Sequence, residues 1–126
     1  MSLNCKYEKV LEVLLGKWKT AILYQLYSKG TMRFGELQRA IPDITKKMLT
    51  QQLRELEYHD ILLREVYHQI PPKVEYSISA YGQGLLPVLL EMNDWGMAHI
   101  QHLNELYGEE GSVKAFVSRI DEIAGK

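Results

Sequence analysis

The strongest constraint on this 126-residue chain is a change of hydrophobic period. Up to about Tyr58 the apolar residues recur every three or four positions, the spacing of one helix face. Residues 61–68 (Ile-Leu-Leu-Arg-Glu-Val-Tyr-His) and 74–79 (Val-Glu-Tyr-Ser-Ile-Ser) are instead rich in β-branched and aromatic side chains. In the second segment Val74, Tyr76 and Ile78 alternate with Glu75, Ser77 and Ser79, the period of a strand with one buried face. Between them lies Gln69-Ile70-Pro71-Pro72-Lys73, where the prolines lack the N–H that a ladder needs. Two strands around a short stiff loop make a β-hairpin. A single hairpin set among helices predicts an α+β, mainly α fold.

The helices have readable ends. Tyr7, Val10, Leu11 and Leu14 share a face, and Gly16 closes that run as a C-cap would. A second helix runs from about Lys17 to Ser28, with Trp18, Ile22 and Leu26 on one side and Gly30 behind it. A short third helix carries Phe34, Leu37 and Ala40–Ile41, and Pro42 stops it. Thr45 is placed to N-cap a fourth helix reaching about Tyr58, buried through Met48, Leu49, Leu53 and Leu56. After Ser79 the helical period returns, with Pro87 in a first turn or at a kink. Leu85, Leu89, Met92, Gly96, Ile100 and Leu103 form one stripe, while Leu86, Val88, Leu90 and Trp95 lie off it. A helix apolar on more than one side needs two partners, more than a chain this short readily supplies. Gly111-Ser112 then opens a last helix carrying Val113, Phe116, Val117 and Ile120.

This length suits one domain, spanning residues 1–126. With 46% hydrophobic and 25% charged residues, the composition excludes a disordered or collagen-like chain. The single cysteine, Cys5, excludes an intramolecular disulfide framework. No apolar run approaches the roughly 18–20 residues that span a bilayer, so a cytoplasmic protein without a membrane partner is expected. The net charge of −1 conceals an asymmetry. Residues 1–54 carry ten Lys/Arg against four acids, and residues 55–126 carry five against twelve. A polyanion responds to the face that it touches, so a mildly acidic average does not exclude nucleic acid.

The third and fourth helices, joined by Pro42-Asp43-Ile44, have the layout of a helix-turn-helix, and the hairpin that follows has the position of a wing. On the fourth helix Lys47, Thr50, Gln51 and Arg54 fall at i, i+3, i+4 and i+7, opposite the leucines, with Lys46 and Gln52 at the margins. These groups suit DNA: Arg and Lys meet guanine O6/N7 or phosphate, and Gln meets adenine N6/N7. A solvated helix face is the plain alternative; the order of elements favours DNA. Lys73 at the hairpin tip, Arg33 before the third helix, and the pair Lys17 and Lys19 are candidate phosphate contacts.

Four segments together carry a family resemblance: Leu15-Gly16-Lys17-Trp18-Lys19, Arg33-Phe34-Gly35-Glu36-Leu37, Lys47 through Leu56 (KMLTQQLREL), and Pro71-Pro72-Lys73-Val74-Glu75-Tyr76-Ser77. From about Cys5 to Gly96 the chain resembles the HxlR family of bacterial winged helix-turn-helix transcription regulators. The resemblance implies a homodimer on a pseudo-palindromic operator, and a repressor is the expected role. An N-terminal dimerisation helix would occupy about residues 5–16, the DNA-binding core 17–79 with its wing at 61–79, and C-terminal dimerisation helices 80–126. Lys73 stands where arginine is common in the family, keeping the charge without the planar fork. Cys5 matches the position of a redox- or electrophile-responsive cysteine in several members, and Lys6 and Lys9 nearby would favour its thiolate. The alternative for Cys5 is a thiol at a dimer interface with no signalling role.

His99 and His102, near Asp94 and Glu105, are spaced for a metal site, but such pairs are more often solvated or interfacial, and no metal or other cofactor is expected. His59 and His68 flank the first strand as surface residues. No nucleophile motif, Gly-rich phosphate loop or HExxH pattern is present, so the chain is not expected to be an enzyme. Two alternative functions use the same fold: a winged-helix protein-interaction module, and a regulator whose small-molecule effector enters a dimer-interface pocket near Tyr7, Trp18 and Trp95. For those aromatics plain core packing is the preferred expectation.

Overall fold

The computed structural model describes residues 7–108. Their elements run α1 (Glu8–Leu15), α2 (Lys17–Lys29), β1 (Met32–Arg33), α3 (Phe34–Ala40), α4 (Lys46–Tyr58), β2 (Leu62–Tyr67), β3 (Lys73–Ile78), a 3₁₀ turn (Gly82–Leu85) and α5 (Leu86–Tyr107). The expected final helix from Gly111 and the thiol of Cys5 lie outside the described residues. The chain divides into two compact units, one ending at Gly84 and one beginning at Leu85.

In the first unit each helix stops for a visible reason. Gly30 closes α2 at φ 82°, in the left-handed region that favours glycine, and its N–H donates to Leu26 O at 2.9 Å. Gly16 does not act in that way. Its φ of −65° and ψ of 153° are extended: it ends α1 without a left-handed turn and is also the N-cap of α2. Pro42 follows α3, and Asp43 at φ 68° turns the chain toward α4. Thr45 is the N-cap expected for α4: its Oγ1 accepts from the amide of Met48 at 3.1 Å.

Ile22, Leu23 and Leu26 of α2, Leu37 of α3, and Leu49, Leu53 and Leu56 of α4 form the core, closed by Ile41, Ile44, Ile61, Leu62, Met32 and Tyr76. Met48 is only half-buried. The hairpin is as expected, and a third strand joins it. The antiparallel sheet runs β1-β3-β2, with Met32 opposite Tyr76 and Arg33 opposite Glu75. Across the hairpin, Leu62 faces Ile78 and Tyr67 faces Lys73. Lys73 is therefore the first residue of β3, and the loop tip is Ile70-Pro71-Pro72, with Ile70 fully exposed.

A polar knot holds the base of the hairpin. Ser79 Oγ donates to Asp60 O at 2.6 Å and accepts from the amide of Gly82 at 2.8 Å. Ser79 N–H donates to Ile61 O at 2.9 Å. Tyr27 Oη, from α2, donates to Gly82 O. Buried polar groups are tolerated when they are paired in this way.

The second unit is described through α5. Pro87 lies in its first turn, where no intrahelical N–H bond is lost. None of its 22 residues is fully buried. Leu85 just before the helix, and Leu89, Gly96, Ile100 and Leu103 of the expected stripe, are half-buried, whereas Val88, Leu90, Met92, Trp95 and Met97 are exposed.

Candidate nucleic-acid interface

The outward face of α4 carries the candidate site. Leu49, Leu53 and Leu56 anchor the opposite side, which sets the roll of the helix and turns Lys46, Lys47, Gln51 and Arg54 to solvent with Thr50 half-exposed beside them. Lys46, Lys47, Thr50, Gln51 and Arg54 line one shallow trough together with Glu55. The Thr50 hydroxyl donates to Lys46 O at 2.7 Å. Toward a ligand it therefore presents lone pairs and a methyl group rather than a donor.

The order of charge along α4 opposes its macrodipole. The first turn holds Lys46 and Lys47 and no acid; the far end holds Glu55 and Glu57 and no base in the last turn. Stability favours the reverse order by about 0.3–1 kcal/mol per charge. Cations kept at a helix N-terminus at that cost fit a face built to meet anions.

Other predicted residues are placed differently. Gln52 is turned to the flank of α4, where its Oε1 accepts from Lys19 Nζ at 2.7 Å. Lys19 is no phosphate contact: it is 94% buried in α2, and its ammonium also lies 3.3 Å from Glu55 Oε2. Lys17 remains exposed, with its ammonium 4.8 Å from the Trp18 ring centroid. Arg33 is exposed at the N-cap of α3, where its backbone N–H donates to Glu36 Oε1 at 2.8 Å.

Lys73 does not stand at the wing tip. Its ammonium sits 4.3 Å from the Tyr67 ring centroid and 3.8 Å from Glu75 Oε2. A hydrogen bond with Glu75, aided by desolvation and the charge of Glu65, raises the Tyr67 phenol above its ordinary pKa. Arg33 is the cross-strand partner of Glu75 in the β1–β3 pairing, and Lys73 pairs with the same Glu75 within β3. The sheet presents mixed charge, whereas the first two turns of α4 carry cations and no acid.

His99 stacks on Trp95 at 4.7 Å, with His102 at 6.4 Å beyond it. Among the described residues no group of three or more His, Cys, Asp or Glu is placed to hold a metal ion. No described helix is long and apolar enough to cross a membrane. Tyr7 and Trp95 are 70% and 68% exposed, so plain core packing is not their role within one chain. Trp18 is half-buried.

Helix-turn-helix, hairpin wing and the exposed cationic face of α4 together define a winged-helix DNA-binding regulator. The chain belongs to the HxlR-like helix-turn-helix family, whose model matches residues 13–104. It is 48% identical over 111 residues to the HTH-type transcriptional regulator YybR of Bacillus subtilis (strain 168), covering 88% of this chain and 87% of that one. Among solved structures, the HTH-type transcriptional regulator ytcD is similar at a TM-score of 0.70 and 51% identity, covering 80% of this chain and 99% of that one. The redox regulator HypR in its reduced form is similar at a TM-score of 0.68 and 49% identity, covering 78% and 96%.

Proposed function

We propose that this chain is a cytoplasmic transcriptional repressor that binds a pseudo-palindromic operator as a homodimer. The observation that carries this reading is the outward face of α4, where three exposed cations and Gln51 surround Thr50 and the only acid at the trough is Glu55, paired with Lys19. A helix of this width fits the major groove, about 12 Å across, and Arg54, Lys47 and Gln51 are suited to base edges there. Lys46 and Arg33 supply phosphate contacts, which position without reading sequence. The wing, residues 61–79, lies against backbone or minor groove, and Lys73 reaches phosphate by leaving the Tyr67 ring.

Dimerisation is supported by two groups of exposed apolar side chains among the described residues: Tyr7, Val10 and Leu11 at α1, and Val88, Leu90, Trp95 and Met97 on α5. Twofold pairing would set the reading helices about 34 Å apart, one duplex turn. The similarity to a protein described as a redox regulator supports Cys5 as an oxidant- or electrophile-responsive thiol.

Selection of bound sequences from random duplex DNA, followed by anisotropy titration on selected and scrambled duplexes, tests the reading. A palindromic selected site bound by two chains with steep salt dependence is the expected result. Equal, salt-insensitive binding to both duplexes overturns it.

A further inference from the structure

Lys19 is the one charged side chain fully buried among the described residues. A buried ammonium is costly unless it is paired and hydrogen-bonded. Here both partners come from α4: Gln52 Oε1 at 2.7 Å and Glu55 Oε2 at 3.3 Å. An ammonium has donors and no acceptor, so it fixes the Gln52 amide with its oxygen inward. Glu55 is the acid of the trough, and its side chain is 42% exposed. Unpaired, it would stand on the surface meant for a polyanion.

We infer that Lys19 is a positioning residue of the DNA-reading helix, its buried ammonium orienting Gln52 and neutralising Glu55 so that α4 meets phosphate without a free carboxylate. The inference rests on α4 being the reading helix. It assigns the cost of a buried charge to binding: α2 lends α4 a cation from beneath, where it touches no DNA. A core lysine with a purely structural role would have no such tie to the charge of the trough.

The test titrates the full chain and four variants, Lys19→Met, Glu55→Gln, the double variant and Arg54→Ala, with the duplex selected by the wild type. Lys19→Met exposes an uncompensated carboxylate and is expected to weaken binding roughly three- to tenfold. Glu55→Gln is expected to bind at least as tightly as wild type, and the double variant to return to within about twofold of it. Binding by Lys19→Met equal to wild type, or a double variant as weak as Lys19→Met alone, overturns the inference. Should melting curves show Lys19→Met unfolded, Glu55→Gln decides, because weaker binding by that variant contradicts charge compensation. Arg54 is no partner of Lys19 in this network. No loss at Arg54→Ala removes the α4 reading and this inference with it; a loss there without the pattern at Lys19 and Glu55 removes the inference alone.

Discussion

The amide of Gly82 donates to Ser79 Oγ at 2.8 Å, and a methyl group on Gly82 would lie 2.3 Å from the carbonyl oxygen of Ile61. Close approach, rather than turn conformation, demands glycine here. Gly82→Ala must push the backbone apart where the hairpin closes, and is expected to cost about 1–3 kcal/mol in a denaturant titration. A stability within error of wild type would show that the base of the wing yields freely.

Tyr27 ties α2 to the same knot through Gly82 O, and burial raises its phenol above the ordinary 10.0. With the folded-state pKa raised, this stabilisation is complete below about pH 10 and is lost as pH climbs through the folded value. Tyr27→Phe should lower stability at neutral pH by about 1 kcal/mol and flatten the decline above pH 10. Thermal melts at pH 7 and pH 11 on both proteins provide the check.

On α4, Arg54→Ala and Gln51→Ala should each cost about 1–3 kcal/mol on the selected duplex and little on a scrambled one. Lys46→Ala should weaken both duplexes alike and reduce the salt slope by about one. Anisotropy titrations at several salt concentrations separate the two behaviours, and uniform losses for every variant would defeat the division of roles.

Cys5→Ser should leave DNA affinity unchanged under reducing conditions and abolish release of DNA by a quinone or a peroxide. A mobility-shift series with and without oxidant reads this directly. Release undiminished in the serine variant would assign the response elsewhere.

Leu53, 1% exposed, joins α4 to the core. Leu53→Ala should cost about 2–5 kcal/mol and loosen the reading helix, so stability and DNA affinity fall together. Intact affinity in an otherwise destabilised variant would uncouple the core from the site.

Much of this was legible in the sequence wherever local chemistry decides. Thr45 capping α4, Pro42 behind α3 and Pro87 in the first turn of α5 are one-residue signals with short-range causes. The strand β1 was missed because two residues carry no period, and Met32–Arg33 is a strand only through its pairing with Tyr76 and Glu75. Lys19 is buried rather than a surface cation, and its place is visible in the sequence. Lys19, Ile22, Leu23 and Leu26 fall at i, i+3, i+4 and i+7, and these are the residues that α2 buries. The expected stripe holds at Ile22 and Leu26, while Trp18 is half-buried and Lys19 takes the inward position in that turn, which a hydrophobic pattern does not register. Lys73 was placed one step too far along the loop because its pairing with Tyr67 depends on register, which the prolines alone do not set.

Among the described residues, the strand order β1-β3-β2 leaves the outer side of β2 without a neighbouring strand. An open ribbon of this kind invites another molecule to add its own strand and begin a chain of such additions. In β2 the middle of that border is held by Arg64 and Glu65, both exposed, between the apolar Leu63 and Val66. An incoming apolar strand would cover both charges and leave each without a partner. The same two charges therefore turn away apolar strands from the exposed rim of the wing.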